Sequence, residues 1–412
     1  MNPPEHVVSP PIARVAVVGA GTIGASWAAL FAARGLRVTV TDPAPGAAES
    51  LRGRIADIWP ALAAAGAIQD GADPGAVRFD ADLQEALQEA DFVQESAPER
   101  PDFKADLFTR MDAALPRHAI IASSSSGLPM SALQAGCRHP ERCVIGHPFN
   151  PPHLIPLVEV VAGRQTAPAA IERAMAFYRS LGKYPIRIDK EIPGHVANRL
   201  QAALWREAIH LVAEGVASVA DIDAAVTQGP GLRWALYGPH MTFHLGGGEG
   251  GLAHFLDHLR GPVQTWWDDL GKPELTPALQ RKLIQGVAAE AGQRSIAELS
   301  ATARRTTDSH PGHSSPTRKP PSMSDIAHRE TQSRFETTVD GQRCELDYVL
   351  RDHIMTIVHT GVPAPVGGRG IAAELTRAAL DTARQRGWKV VPQCSYAAVY
   401  LKRHPEYQDL QA

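Results

Sequence analysis

Apolar positions fall into two rhythms along this chain, a short-period one up to about residue 192 and a purely helical one after it. Arg14 to Val18 is a β-branched run that stops at glycine, the pattern of a buried parallel strand. Ile23 to Arg34 carries alanine and bulky apolar residues at helical spacing, and Leu36 to Thr41 alternates apolar with polar as a second strand. Strand, glycine turn, helix and strand in that order predict a right-handed βαβ unit. Further strands are predicted at Val77–Phe79, Asp91–Gln94, Ala119–Ala122, Cys143–Gly146, Pro156–Val161 and Tyr184–Ile188, with helices such as Leu83–Ala90 and Phe103–Leu115 between them. The alternation predicts an α/β domain over residues 12–192, built on a doubly wound parallel sheet.

The texture changes at Pro193-Gly194. From residue 193 to 301 only helical periodicity remains, at Val196–Glu214, Ala220–Thr227, Leu252–Leu259 and Pro277–Ala291, broken by glycine-rich turns. This predicts an all-helical second domain. Residues 302–323 are mostly Thr, Arg, Ser, His and Pro with almost nothing to bury, which predicts a disordered linker. Over 324–412 a small α+β domain is expected, with strands at Glu345–Leu350 and His353–His359, a turn at Gly367–Gly370 and a helix at Ile371–Arg386.

Composition narrows the class without naming it. A chain of 412 residues with 44% hydrophobic and 21% charged residues can bury two or three ordinary cores. A formal charge of −3 argues against a dedicated nucleic-acid binder. No apolar run approaches the roughly 18 residues that a membrane span needs, and residues 1–11 lack the charged start and apolar core of a signal peptide. Cys137, Cys143, Cys344 and Cys394 show no C-x-x-C and no metal-ligand spacing. A reduced cytoplasmic protein without a metal is expected.

The candidate chemistry lies at two places. Gly19-Ala20-Gly21-Thr22-Ile23-Gly24 is G-x-G-x-x-G between a strand and a helix, which makes the first domain of Rossmann type. Gly19 permits the tight turn, Gly21 lets a pyrophosphate approach the backbone, and Gly24 allows close helix packing; the helix start at Thr22 and Ile23 offers free N–H groups to phosphate. Asp42 ends the next strand, where a carboxylate accepts both adenosine-ribose hydroxyls and repels a 2′-phosphate. Pro43 follows with no arginine to compensate, so NAD is expected over NADP. The second place is Gly146-His147-Pro148-Phe149-Asn150-Pro151 with Glu159 in Leu157-Val158-Glu159. His147 would take the proton of a substrate hydroxyl as hydride leaves the same carbon, and Glu159 would hold its other ring nitrogen.

Taken with Pro193-Gly194-His195-Val196-Ala197-Asn198-Arg199-Leu200, these motifs make residues 12 to about 300 resemble the 3-hydroxyacyl-CoA dehydrogenase family across both domains. The resemblance implies a catalytic dyad at His147 and Glu159, with Ser126 and Asn198 bonding the reacting oxygen. It also implies that Glu99 and Lys104 lie beside the cofactor's ribose and nicotinamide, and that the helical domain forms a homodimer. Ser124-Ser125-Ser126-Gly127 and the arginine of Gly229-Pro230-Gly231-Leu232-Arg233-Trp234 resemble the branch of L-carnitine and L-gulonate dehydrogenases more than the thioester-using members. That implies a small 3-hydroxy acid as substrate, with Arg233 as its carboxylate partner and carnitine-like chemistry ahead of gulonate-like. Trp234, Phe243, Trp266 and Trp267 are candidates to face a trimethylammonium.

The tail resembles small GCN5-related N-acetyltransferase-like proteins. The resemblance rests on His359-Thr360-Gly361-Val362-Pro363, on Gly367-Gly368-Arg369-Gly370-Ile371-Ala372 opening a helix, and on Pro392-Gln393-Cys394. It implies that Gly368, Arg369, Gly370, Ile371 and Ala372 meet the pyrophosphate of acetyl-CoA. Gly367 stands where larger acetyltransferases carry Arg or Gln, and the acceptor-binding strands are missing, so binding is expected more than catalysis. Cys394 is expected to be a buried, inert thiol.

Overall fold

A computed structural model describes residues 11–296, 298, 299, 326–339, 341–363, 366 and 370–412. The linker expected at 302–323 and the turn residues Gly368 and Arg369 lie outside the described residues. The chain divides into two compact units, 1–314 and 315–412.

The first unit begins with β1 (Arg14–Val18), α1 (Thr22–Ala33), β2 (Arg37–Thr41) and α2 (Ala47–Ala64). It continues through β3 (Arg78–Phe79), α3 (Leu83–Leu87), β4 (Phe92–Glu95), α4 (Pro101–Ala114), β5 (Ile120–Ser123), α5 (Met130–Leu133), β6 (Cys143–Pro148), β7 (Leu157–Ala162), α6 (Pro168–Ser180) and β8 (Tyr184–Ile188). The eight strands lie in the order β3-β2-β1-β4-β5-β6-β7-β8. All neighbours from β3 to β6 pair in parallel, as expected of a doubly wound sheet. β7 then turns back antiparallel to β6, and β8 runs parallel to β7. The reversal has a local cause. Residues 149–156 are too few for a parallel crossover, which takes a dozen or more.

Helices cover both faces, and both faces are apolar. Val15, Val17, Val38 and Val40 pack with Trp27, Phe31 and Tyr178 in one cluster; Ala16, Val18, Val93, Phe108 and Ile121 pack in another. Helix α1 is buried on nearly every side, which its small-and-large sequence GASWAALFAA permits. The rings of Trp27, Phe31, Phe92, Phe177 and Tyr178 contact one another with centroids 4.4–6.0 Å apart. Asp112 of α4 braces the approach to β6: it accepts two bonds from the buried Arg142 guanidinium at 2.7 and 3.0 Å and the amides of Arg138 and His139. Helix α6 lies where no helix was expected from the pattern, although Ile171, Ala174, Met175 and Tyr178 are spaced for one and all are buried.

Helices α7 (Ala197–Ala213), α8 (Val219–Gln228), α9 (Pro230–Trp234), α10 (Pro239–Gly246), α11 (Gly251–Asp269) and α12 (Pro277–Ala291) follow. Their burial is sparse. In α7 only Ile209 and Val212 are buried, in α8 only Ile222, and in α12 none. None of the described helices is long and apolar enough to cross a membrane.

The second unit holds β9 (Ala327–Arg329), β10 (Arg334–Val339), β11 (Gln342–Arg351), β12 (Ile354–Gly361) and β13 (Lys389–Pro392). These form one sheet in the order β13-β12-β11-β10-β9. The meander from β9 to β12 is antiparallel, and the helix Ile371–Arg386 crosses over to bring β13 in parallel beside β12. Phe335, Leu346, Met355, Leu375, Leu380 and Val390 form its core.

Candidate active site

The carboxyl ends of the strands converge on the fingerprint. Gly19 has φ +103°, and a Cβ there would lie 2.8 Å from the Ser96 carbonyl oxygen, so only glycine fits. A Cβ on Gly24 would lie 1.8 Å from the Gly19 carbonyl oxygen, which is the close packing the third glycine serves. A Cβ on Gly21 would meet nothing within 4 Å, so its backbone faces open space at the start of α1. Gly21 caps that helix without a side chain, leaving the first N–H groups of Thr22 and Ile23 for an anion. Asp42 takes the Ala20 amide at 2.8 Å on one oxygen and the Ala44 amide at 2.9 Å on the other, which aims the carboxylate and leaves lone pairs for ribose hydroxyls. These residues fit NAD. The Arg54 guanidinium donates to the Thr22 hydroxyl at 3.2 Å, at the mouth of the phosphate site.

His147 and Glu159 are opposite residues of the antiparallel β6–β7 pair. His147 Nδ1 and Glu159 Oε2 are 2.8 Å apart, and both side chains are buried. The other oxygen of Glu159 accepts the backbone amides of Val196 at 2.9 Å and Ala197 at 2.8 Å, at the start of α7. Burial pushes the Glu159 carboxyl up, but the bonds from His147, Ala197 and Val196 outweigh it and hold the group below its ordinary value. An ionised Glu159 can only accept, so Nδ1 of His147 carries the proton between them, and in the neutral ring that tautomer makes Nε2 the acceptor.

The serine loop after β5 is tied down by Glu99. One Glu99 oxygen accepts the Ser125 hydroxyl at 2.5 Å and the amides of Ser126 and Gly127 at 3.0 and 3.1 Å. Burial raises Glu99, and these bonds with the charge of Lys104 outweigh it, keeping it below its usual value. Ser126 itself is exposed, and Asn198 is half-buried at the second position of α7. Lys104 is 1% exposed and bonds both oxygens of Glu95 at 2.7 and 2.9 Å, with Glu99 3.6 Å away. Glu95 also accepts the Ser123 hydroxyl at 2.5 Å and the Ala97 amide at 2.6 Å.

Two residues here escaped the sequence reading. Glu95 could have been found, because a carboxylate ending the apolar run Phe92-Val93 needs a buried partner. His195 gave a weaker signal, being one of 17 histidines. It has φ +51°, donates from Nε2 to the Ser125 carbonyl at 3.2 Å, and lies with its ring centroid 5.3 Å from that of His147. Among the described residues its Nδ1 is buried without a partner, and burial lowers its pKa, which favours the neutral ring. Arg233 is exposed on α9, which packs against α8 and α10, and among the described residues it forms no ion pair. Trp234, Phe243, Trp266 and Trp267 are exposed, and among the described residues no two of these rings stack; Phe243 contacts Phe255 instead.

In the tail, Gly370 (φ +77°) caps the helix that starts at Ile371, and Ile371 is buried in the core while Ala372 is half-buried. Cys394 is half-buried, not buried as expected, because it caps the helix Ser395–Arg403 at the sheet edge. Burial raises its thiol, but amide bonds from Ala397 and Tyr396 and contact with Thr360 pull it below its ordinary value.

Residues 14–192 match the family described as "3-hydroxyacyl-CoA dehydrogenase, NAD binding domain", and residues 194–288 match its C-terminal domain. Residues 334–410 match "GCN5-related N-acetyl-transferase". The chain is 54% identical over 288 residues to L-carnitine dehydrogenase of Streptomyces griseus, covering 70% of this chain and 86% of the relative. It is 49% identical over 284 residues to that of Pseudomonas aeruginosa, covering 69% and 88%. Among solved structures, an NAD+-dependent dismutase, 5-formyl-3-hydroxy-2-methylpyridine 4-carboxylic acid 5-dehydrogenase, is 33% identical with a TM-score of 0.63, covering 72% of this chain and 97% of its own.

Proposed function

The chain belongs to the 3-hydroxyacyl-CoA dehydrogenase family as an NAD-dependent oxidoreductase acting on a CH–OH group, and we propose that its substrate is a small 3-hydroxy acid of the L-carnitine kind. The observation that carries the proposal is the 2.8 Å contact between His147 and Glu159 on a sheet edge that also bears the fingerprint. Bound NAD supplies the hydride acceptor.

In this reading, the Nε2 lone pair of His147 removes the proton of the substrate's 3-hydroxyl, a step of this type contributing about 10² to 10⁴-fold. Glu159 holds the imidazolium that results, and the amides of Val196 and Ala197 keep that carboxylate from turning away. Ser126 and Asn198 bond the oxygen as charge develops on it, with Glu99 fixing the serine loop and Lys104 holding Glu99 from behind. Gly19, Gly21, Thr22, Ile23, Gly24 and Asp42 bind the dinucleotide, and Glu99 borders its nicotinamide ribose. Arg233 draws the substrate carboxylate. L-gulonate is the alternative acid, and a 3-hydroxyacyl thioester the alternative class.

Offering NAD with L-carnitine, L-gulonate or a short 3-hydroxyacyl-CoA, and following NADH formation, decides among these. Turnover of L-carnitine and none of the thioester is expected; turnover of the thioester alone contradicts the reading.

Two further parts of the reading stand on their own observations. The chain forms a homodimer through α7–α12, because Trp205, Leu236, Trp266 and Trp267 are each at least 60% exposed there. The tail binds acetyl-CoA at the helix start at Gly370-Ile371-Ala372, where among the described residues no side chain caps the helix. A rise in melting temperature with acetyl-CoA would support the second of these, and no shift at saturating ligand would contradict it.

A further inference from the structure

The ladder between β5 and β6 ends at the Ser123–Ile145 rung. Gly146 and His147 run on past it, with β7 beside them on one flank only. On the other flank, the missing backbone partner is replaced by a side chain. Gln94 of β4 reaches across β5, and its Nε2 donates to the Gly146 carbonyl at 3.2 Å and to the Ser124 hydroxyl at 2.8 Å. Ser124 in turn bonds the Ser96 hydroxyl at 2.9 Å.

The orientation of that amide is forced. A carbonyl only accepts, so nitrogen must face Gly146; oxygen then faces Tyr178, whose hydroxyl donates to it at 2.6 Å. Burial raises the Tyr178 pKa, so the phenol keeps the proton it donates. Gln94 and Tyr178 are both fully buried. A Cβ on Gly146 would lie 2.0 Å from the Tyr178 oxygen, so the residue before His147 has no side chain where the phenol enters. The amide therefore joins the loop that carries Ser126 to the backbone that carries His147. A leucine of similar size would occupy that buried position without making any of these bonds.

We propose that Gln94, locked by Tyr178, is a positioning residue that sets the spacing between His147 and the serine loop. The proposal rests on the reading of His147 as the base, and its test separates the two. Gln94→Leu, Tyr178→Phe and their combination are compared with wild type for kcat, KM, NADH affinity and the isotope effect of substrate deuterated at the carbinol carbon.

Misplacing a reacting group by a fraction of an ångström up to 1 Å costs as much as about 10²-fold, so Gln94→Leu should lower kcat roughly 10- to 100-fold. NADH affinity should hold, and the isotope effect should grow as chemistry becomes limiting. Tyr178→Phe should lose less, and the double variant should be no worse than Gln94→Leu alone, because both act through one amide.

A fall in melting temperature with kcat unchanged would make the network merely structural and overturn the proposal, as would losses that add. If Gln94→Leu does not fold, Tyr178→Phe decides, and an unchanged kcat in it overturns the proposal. An inactive His147→Gln beside a fully active Gln94→Leu sinks the positioning role alone; a fully active His147→Gln sinks both.

Discussion

The sheet of the first unit and the helices after it treat apolar residues in opposite ways. Between Arg14 and Ile188 most large apolar side chains are buried, including Trp27, Phe31, Phe92 and Phe108, and only Phe103 and Tyr184 are exposed. Between Ala197 and Ala291 the large apolar residues are mostly out: Leu200 and Trp205 are 60% exposed, and Trp266 and Ile284 more so. Soluble monomers rarely expose apolar patches beyond a few hundred square ångströms. In the proposed dimer the sheet is a finished core while the helices are one half of a core. The pin between them is Glu159, which bonds His147 of the sheet with one oxygen and the first amides of α7 with the other.

The largest effect should come from pulling that pin. Glu159→Ala leaves His147 without its partner and two α7 amides unpaired; kcat should fall by about 10² to 10⁴-fold, the range of acid–base catalysis. Limited proteolysis should also cut near residue 196 sooner than in wild type. A variant with normal kcat would remove Glu159 from the site, and unchanged proteolysis would remove it as a joint.

The next effect strikes the half-core. Trp205→Glu puts a charge where a partner helix should pack, and a lost aromatic anchor worth about 2 kcal/mol weakens a dimer roughly 30-fold. Sedimentation should show dissociation at concentrations where wild type stays paired; a wild type that is monomeric throughout would contradict the contrast itself.

The last effect probes the finished core. Lys183 is buried under the Pro152 and Ile155 carbonyls, both of which it bonds, and over the Trp27 ring. Burial, helped by Arg34, lowers its pKa to about 7 from an ordinary 10.5. Between those values the folded lysine is neutral and the unfolded one protonated. The unfolded state then binds more protons, so stability rises with pH across that window, by up to about 1.4 kcal/mol per unit. Urea titrations at several pH values should show this slope in wild type and lose it in Lys183→Met. Parallel slopes would mean that the ammonium stays charged inside.

The same division decides what could be read from sequence. Runs such as Arg14–Val18 and Cys143–Gly146 announce strands because both faces are buried, and the glycine fingerprint works through backbone shape, which sequence states directly. His147 and Glu159 were legible because one short connection puts adjacent strands side by side. The reversal of β7 was written in that same short connection, but the strand pattern alone does not give direction. Gln94 and His195 were not legible: their roles depend on which chain segments meet, and each looks like an ordinary polar residue until they do. The proposed places of Arg233 and the tryptophans stay with the resemblance, since their helices present them to the outside.

The central claim is that His147 moves the proton while other residues hold the cofactor. Single-turnover NADH formation from NAD and L-carnitine, run beside direct NADH titration for wild type and His147→Gln, tests it most directly. The account predicts that the burst disappears in the variant and that NADH binds almost as before. Loss of both together would make the histidine architectural, and a normal burst would place the base elsewhere.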